Sequence, residues 1–441
     1  MQRRYQRLVM SQVSRVDAVA AGVRALPGLG ESFAAVQAAW RFYGNERVSL
    51  PQLAKPLLEC VRTRIARECD NVVLVALDWS GLHFGDHTSK ADRVELFHNA
   101  DLGYELLTAL TLSERSGLPL GPVALDLRAA GGVYSTRHRG TMPVVSQLDV
   151  LSPLMAHVSG LHLGRPAVFI IDREADSVGH YRQWDQDHRR FIVRANDAPR
   201  VMWEGQERPL KKVADTLAHR GILRRVRQFV YQGRQVRQYV GQSQVVIERA
   251  ARPRHRKILG RELHETLPGP PLPLRLVVSE IRDMKGQVLA CWLLLTNLPE
   301  AQASASTVAL WYYWRWQIES YHKLLKGSGL HLEHWQQQSA GALARRLCVA
   351  AMAVTLVWQL AKAPESSAMQ FRELLVRLSG RQIKRGVGQP RFTVPALLAG
   401  LGVLVPMLCL LEQYPLEQLR KLASQTLPFP LPHRTPPPSA P

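Results

Sequence analysis

The sequence is short of acid. Asp and Glu number 36 against 57 Lys and Arg in 441 residues, a formal net charge of +21. Cysteine is scarce too: Cys60, Cys69, Cys291, Cys348 and Cys409 are odd in number, scattered, and form no C-x2-C pair. That argues against a disulfide framework and a zinc site, and fits a reducing cytoplasm. Unbroken apolar runs are few, and Phe392 to Leu411 is the one long enough to need a membrane check. Near the N-terminus, Asp17 and Arg24 leave only Ala18 to Val23 uncharged, too short for the core of a signal peptide. Leu347 to Ala361 is short and holds Thr355 and Gln359, and Phe392 to Leu411 is punctuated by Pro395, Gly400, Gly402 and Pro406. Both read as buried helices of a soluble domain. The expectation is a soluble cytoplasmic protein with no membrane partner.

What is present is an ordinary globular composition, 46% hydrophobic, long enough for two or three domains. Its positive excess is self-repelling unless a polyanion neutralises it, so nucleic acid is the first partner to consider. A basic but indifferent surface is the other reading.

Residues 1 to about 70 have no strand alternation and read as helical, with Pro51 soon after a capping Ser49. Val72 to Leu77 is continuous, short and rich in β-branched residues, a strand buried on both faces that ends on Asp78. Strands follow at Glu105 to Leu112 and Pro122 to Leu127. A helix near Val144 to His157 precedes a second apolar strand, Ala167 to Ile171, which ends on Asp172. A polar helix near Asp176 to Asp187 and a strand at Phe191 to Arg194 complete a sheet with helices on its faces. Beyond Val201 the pattern turns β and basic. Val226 to Val240 reads as a hairpin turning at Gln232-Gly233. On it Arg227, Phe229 and Tyr231 share one face, and Arg237 and Tyr239 share a face of the returning strand, with Arg234 beside the turn. Such a ribbon grips phosphates and stacks on bases, or it is a solvated insertion whose aromatics cover a small core. A long helix is expected from about Ala303 to Gly327, helices to Leu427, and a disordered Pro-rich tail to Pro441.

On that long helix Tyr312, Arg315, Glu319 and Lys326 fall within an arc of roughly 60° at about 100° per residue. Alone, the stripe reads as an exposed face with Arg315 and Glu319 as an i,i+4 ion pair. The two strand-end acids change that reading, because open α/β sheets place ligand sites at strand C-termini. Asp78, Asp172 and Glu319 together make a cage of hard oxygen ligands suited to Mg²⁺ or Mn²⁺. Two such ions about 3.5–4 Å apart serve in-line phosphodiester displacement.

These residues resemble the DDE transposases of bacterial insertion sequences, in the subgroup marked by Tyr-x2-Arg-x3-Glu-x6-Lys. Tyr312, Arg315, Glu319 and Lys326 meet every spacing, and Asp172-Arg173-Glu174-Ala175-Asp176 is similar to that subgroup's DREAD string. Ala38-Ala39-Trp40-Arg41-Phe42 through Val48-Ser49 resembles its end-binding domain. Arg190 to Arg194 and Trp292 to Thr296 are similar to further stretches in the same order. One departure is Trp79, where the family has a smaller residue after the first acid.

The resemblance, which runs from roughly Val16 to Gln336, implies an α/β fold with an RNase H-like core: 1–70 a helical end-DNA-binding domain, 71–200 the first part of the core, 201–297 a β-rich basic insertion and 298–340 the core helix with the last acid. Beyond it the pattern itself gives 341–426 as a helical C-terminal region, a candidate for dimerisation, and 427–441 as the disordered Pro-rich tail. It also implies cut-and-paste transposition by a homodimer acting on double-stranded element ends and target DNA, through hydrolysis, hairpin formation and strand transfer. By family role Asp78, Asp172 and Glu319 hold two metal ions. Tyr312, Arg315 and Lys326 hold end-DNA phosphates, and Trp292 replaces a flipped base; Arg41, Arg194, Arg227, Arg234 and Arg237 are further candidate DNA contacts. A structure-specific nuclease with the same core, or a non-catalytic DNA-binding descendant, are the alternatives.

Overall fold

The computed structural model describes residues 2–13, 32–96, 101–251, 256–258, 261–263, 268–327, 330–385 and 390–426. The Pro-rich tail therefore lies outside the described residues, as do 14–31 between the first two helices. The N-terminal part is helical as expected, with α1 (Gln2–Val13), α2 (Ser32–Gly44) and α3 (Leu50–Glu68). Then come β1 (Val73–His83), β2 (Val94–Glu95), β3 (Leu102–Ser113), β4 (Pro119–Ala129), β5 (Gly132–Ser135) and β6 (Thr141–Met142). They are followed by α4 (Leu151–Gly160), β7 (Ala167–Ile171), α5 (Val178–Gln186), β8 (Arg190–Arg194), β9 (Arg200–Trp203), β10 (Gln206–Pro209) and α6 (Leu210–His219). The basic region adds β11 (Arg224–Tyr231), β12 (Arg234–Ile247), the small pair β13 (Arg256–Ile258) and β14 (Arg261–Leu263), β15 (Leu272–Asp283) and β16 (Val288–Thr296).

One 14-stranded sheet runs β10-β9-β12-β15-β16-β8-β7-β1-β3-β4-β5-β6, with β11 on β12 and β2 on β3. β7 runs parallel to β1 and β8, and the other pairs are antiparallel. The β-rich stretch expected as an insertion is continuous with this sheet, because β16 pairs with β8 through Leu294↔Arg194, Leu295↔Val193 and Thr296↔Ile192. Without it β8 would present an open edge. The expected hairpin turn is at Gln232 (φ 48°) and Gly233 (φ 78°), two successive left-handed residues that match the twist of paired strands.

Two expected boundaries differ. β1 does not stop at Asp78; its pairing with β3 carries it on to His83, so loss of apolar character marks loss of burial and not the strand's end. The helix expected from Val144 begins only at Leu151, and Val144 and Val145 lie exposed ahead of it.

The chain continues through α7 (Ala305–Trp314) and α8 (Trp316–Lys326), then α9 (Ala340–Lys362), α10 (Ser366–Leu378), α11 (Val394–Gln413) and α12 (Leu416–Thr426). α3, α8 and α9 cover one face of the sheet, and α4 and α5 the other. α3 approaches β4 closely at Gly121 (φ +140°), where a Cβ would lie 2.6 Å from Val61 Cγ2. Arg64 donates to the Leu120 carbonyl there at 2.6 Å. α9 is buried nearly throughout, as expected, and ties back to the N-terminal part through Arg345, which donates to the carbonyls of Val48 and Tyr43. α9 and α11 are both long and apolar enough to cross a membrane. α11 departs from the expected burial: Ala396, Leu397, Leu398 and Leu401 are buried and Leu404 and Val405 pack against the core, but Val403, Met407, Leu408 and Leu411 are exposed.

Candidate active site

The parallel pairing of β1 with β7 ends at Leu77↔Ile171. The next residue on each strand is an acid, so Asp78 and Asp172 stand side by side where the parallel pairing ends, Asp172 just past the end of β7 and Asp78 within β1, which runs on beside β3. Both are held by backbone donors: Trp79 N–H to Asp78 Oδ1 at 3.0 Å and Arg173 N–H to Asp172 Oδ1 at 2.8 Å. The second bond caps the 3-10 turn Arg173–Ala175. Asp176, the last acid of the same string, has another task. It accepts from Tyr181 Oη and from Asn196 N and Nδ2, fixing the turn against α5 and β8.

The third acid arrives on α8. The long helix expected over this stretch is two helices, broken at Arg315. Arg315 N–H bonds to Tyr312 O at 3.1 Å and Ile318 N–H to Arg315 O at 3.0 Å, i→i+3 contacts that tighten the chain locally. α7 is pinned by Trp311 Nε1, which donates to Glu114 O at 3.1 Å, and by Trp314 lying over Gly117 (φ +68°). At the break Arg315 turns inward. Its Nη1 lies 3.1 Å from Asp78 Oδ2, and its Nη2 lies 2.9 Å from Asp172 Oδ2 and 3.0 Å from Glu319 Oε1. Tyr312 Oη donates to Asp172 Oδ1 at 3.1 Å, and Arg194 Nη1 stands 3.7 Å from the same oxygen.

One buried guanidinium thus joins three carboxylates from three elements. Its side chain is 5% exposed, whereas those of Asp78, Asp172 and Glu319 are 18%, 29% and 33% exposed, so the acids form the open rim and Arg315 the floor. Burial pushes the Asp78 carboxyl up to about 6, with Arg315 opposing and Glu319 and Asp172 adding to it. Asp172 feels the same burial, but Arg315, the Arg173 N–H, Arg194 and Tyr312 outweigh it and hold its carboxyl below the usual value. Burial would lower Arg315, yet Tyr312 and the three acids raise it further. His322, buried against Thr108 with its Nε2 3.2 Å from Oγ1, is pushed down to about 3 by burial, Lys326 and Arg315, and stays neutral.

The donor set suits a hard divalent cation in kind. Among the described residues, however, no three His, Cys, Asp or Glu stand close enough to share one ion. The spacing explains this: contacts of 2.9 to 3.1 Å to a guanidinium hold the acids wider than the ~2.0–2.1 Å that Mg²⁺ takes from each oxygen. The residues fit the ion, and Arg315 sets their present separation.

The remaining candidates fall in different places. Lys326 Nζ donates to Gly81 O and lies 3.7 Å from Glu333, whose Oε1 accepts from His83 N–H, so it anchors the end of α8 on β1. Trp292 is 4% exposed and packs edge-on against Tyr312 at 5.4 Å, the packing position of any large aromatic on a buried strand. Arg227 is half-buried, donates to Gln238 and stacks over Phe229 and Tyr313 at 4.5 and 4.6 Å, at the edge of the contact between the hairpin and α7. Arg234 is exposed at the hairpin turn, Arg237 is half-buried, and Arg41 is exposed with Gln37 as partner. Trp79 fits because strand alternation turns its indole away from Asp78, into a cavity of about 330 Å³ on the other face of the sheet. His322, Thr108 and Glu333 gave no signal in the sequence, since only the packing of α8 on β1 and β3 brings them to the site.

A family model described as "Transposase DDE domain" matches residues 122–356. The match contains Asp172, Arg315 and Glu319 but begins after Asp78. No curated protein matches the chain. Among solved structures, the cryo-EM structure of a piggyBac transposase synaptic complex with hairpin DNA is similar at 10% identity and a TM-score of 0.34. The likeness covers 82% of this chain and 59% of that one, and is too distant to carry an argument.

Proposed function

The chain belongs to the transposase DDE domain family, and from that premise we propose that it cuts and rejoins DNA through Asp78, Asp172 and Glu319. The observation that carries this is the convergence of these carboxylates on one guanidinium from β1, the end of β7 and α8. The mixed five-strand arrangement β8-β7-β1-β3-β4 around them supports reading this part as the RNase H-like core.

The three acids would hold two Mg²⁺ or Mn²⁺ ions, which when bound activate the attacking oxygen and stabilise the leaving one. The chain's own residues do the rest. Trp79 N–H and Arg173 N–H orient the Asp carboxylates. Arg194, at the rim beside Asp172, offsets acid charge that would repel a phosphate. The i→i+3 break places Glu319 one turn after Arg315, over the strand ends. In the reading proposed, water displaces one oxygen at the element end, and the freed 3′-OH attacks the opposite strand to form a hairpin. The hairpin is reopened by water, and the 3′-OH then attacks target DNA. The excess of Lys and Arg supplies phosphate contacts along double-stranded ends and target, and a homodimer would bring two ends together. The setting would be the cytoplasm, on the nucleoid.

The test is a reaction with two DNA ends carrying the inverted repeats that flank the gene, in Mg²⁺. Joined products are the expected result. Cleavage without joining would mean a nuclease, and binding without cleavage a non-catalytic DNA-binding protein.

A further inference from the structure

We propose that Arg315 is a built-in counter-cation standing where the divalent ions bind, so that loading the site with metal and keeping Arg315 among the acids exclude each other. This rests on the reading of Asp78, Asp172 and Glu319 as metal ligands.

Three carboxylates facing one small space repel one another and need positive charge among them. Arg315 supplies it with two nitrogens: Nη1 takes Asp78, and Nη2 takes both Asp172 and Glu319. Those bonds occupy one oxygen of each acid. The other oxygen of Asp78 accepts from Trp79 N–H, and that of Asp172 from Arg173 N–H and Tyr312 Oη. The inward oxygens, the ones that could converge on an ion, are therefore those Arg315 holds. A guanidinium also holds them too far apart for a small ion, with N···O contacts near 3 Å against metal–oxygen contacts of ~2.0–2.1 Å. The ion and the guanidinium have the same ligands and need different spacings, so they compete.

The position of Arg315 suits an exchange. It lies at the junction of α7 and α8, where i→i+3 bonds replace regular helical ones, a feature that in helices often marks a functional hinge. Its Nε has no hydrogen-bond partner, so its hydrogen bonds to the acids run through the two Nη atoms, with the Tyr312 ring centre 5.9 Å from the guanidinium carbon.

The test is Mn²⁺ binding to the full chain without DNA, by electron paramagnetic resonance of free Mn²⁺, for the parent, Arg315→Met and Arg315→Gln. The amide of Arg315→Gln can still donate to the acids and guards against loss of fold. Removing a like charge a few ångströms from the ion should tighten Mn²⁺ binding about tenfold or more in both variants. Equal or weaker affinity in a variant of parental circular dichroism would overturn the proposal. Asp172→Asn added to Arg315→Gln separates the two levels. If the tightening disappears with it, the competition is at these acids, as proposed. If tight binding persists, the ion sits elsewhere and the metal reading falls with the proposal; if no protein binds Mn²⁺, both fall at once.

Discussion

Replacing Asp78 with Asn should stabilise the metal-free protein, although Asp78 is a proposed ligand and already bonds to Arg315. Burial lifts its carboxyl from the ordinary 3.8 to about 6 despite Arg315. A folded-state value above the unfolded one means that the folded protein holds the proton more tightly. The associated stability is present below the ordinary value and is lost as pH rises toward 6. A shift of about two units at roughly 1.4 kcal/mol each makes ionised Asp78 cost on the order of 3 kcal/mol at neutral pH. An amide of the same shape avoids that cost; its one oxygen can accept from either Arg315 Nη1 or Trp79 N–H, which use different oxygens of the carboxylate, so one of the two bonds is lost and reduces the gain. Asp78→Asn should therefore gain up to about 3 kcal/mol near pH 7, the gain shrinking through the window between 6 and 3.8. Asp172 has the opposite sign. Its carboxyl is held below the usual value, so its contribution is present above the ordinary value and lost on acidification, and Asp172→Asn should destabilise at neutral pH. Urea unfolding in chelator from about pH 4 to 8 tests both. An Asp78→Asn protein less stable than the parent at neutral pH, or one whose difference from it does not change with pH, would refute the reasoning.

Trp292→Ala should cost about 3–5 kcal/mol and slow nicking and hairpin formation alike; an unchanged melting temperature with only hairpin formation slowed would assign the indole to DNA instead. Arg227→Gln should lower the melting temperature, because that guanidinium stacks on Phe229 and Tyr313. Arg234→Gln at the exposed turn should leave stability unchanged and reduce the salt slope of DNA binding by about 0.9, read by fluorescence anisotropy across salt concentrations. An unchanged slope would make the turn solvated surface.

The parts of this architecture legible in sequence are those set by local chemistry. Val73 to Leu77 and Ala167 to Ile171 are short apolar runs whose only stable place is a doubly covered sheet interior, and Gln232-Gly233 has few conformations other than a tight hairpin turn. The spacing of Tyr312, Arg315 and Glu319 puts them on one side of the chain, and the structure brings all three beside Asp78 and Asp172 or one another. What escaped depends on contacts distant in sequence. Nothing near Asp78 tells that β3 carries β1 on to His83, nor that β16 closes the edge of β8. The direction of Arg315 was equally hidden. Periodicity puts it on a polar stripe, and only the break after Trp314 and the approach of Asp78 and Asp172 turn it inward as the centre of the acids. Arg227 shows the same limit: alternation gives its face, while the partner beneath that face, Tyr313 on α7, comes from far along the chain.

The central claim is that Asp78, Asp172 and Glu319 act as one metal-dependent cutting centre. Nicking of DNA bearing the element ends, measured in Mg²⁺ for the parent, Asp172→Asn and Glu319→Gln beside end binding by gel shift, tests it most directly. The account predicts that either variant binds ends nearly as the parent does and does not nick them, because the phosphate and base contacts lie elsewhere. Nicking by either variant at near the parental rate would contradict it.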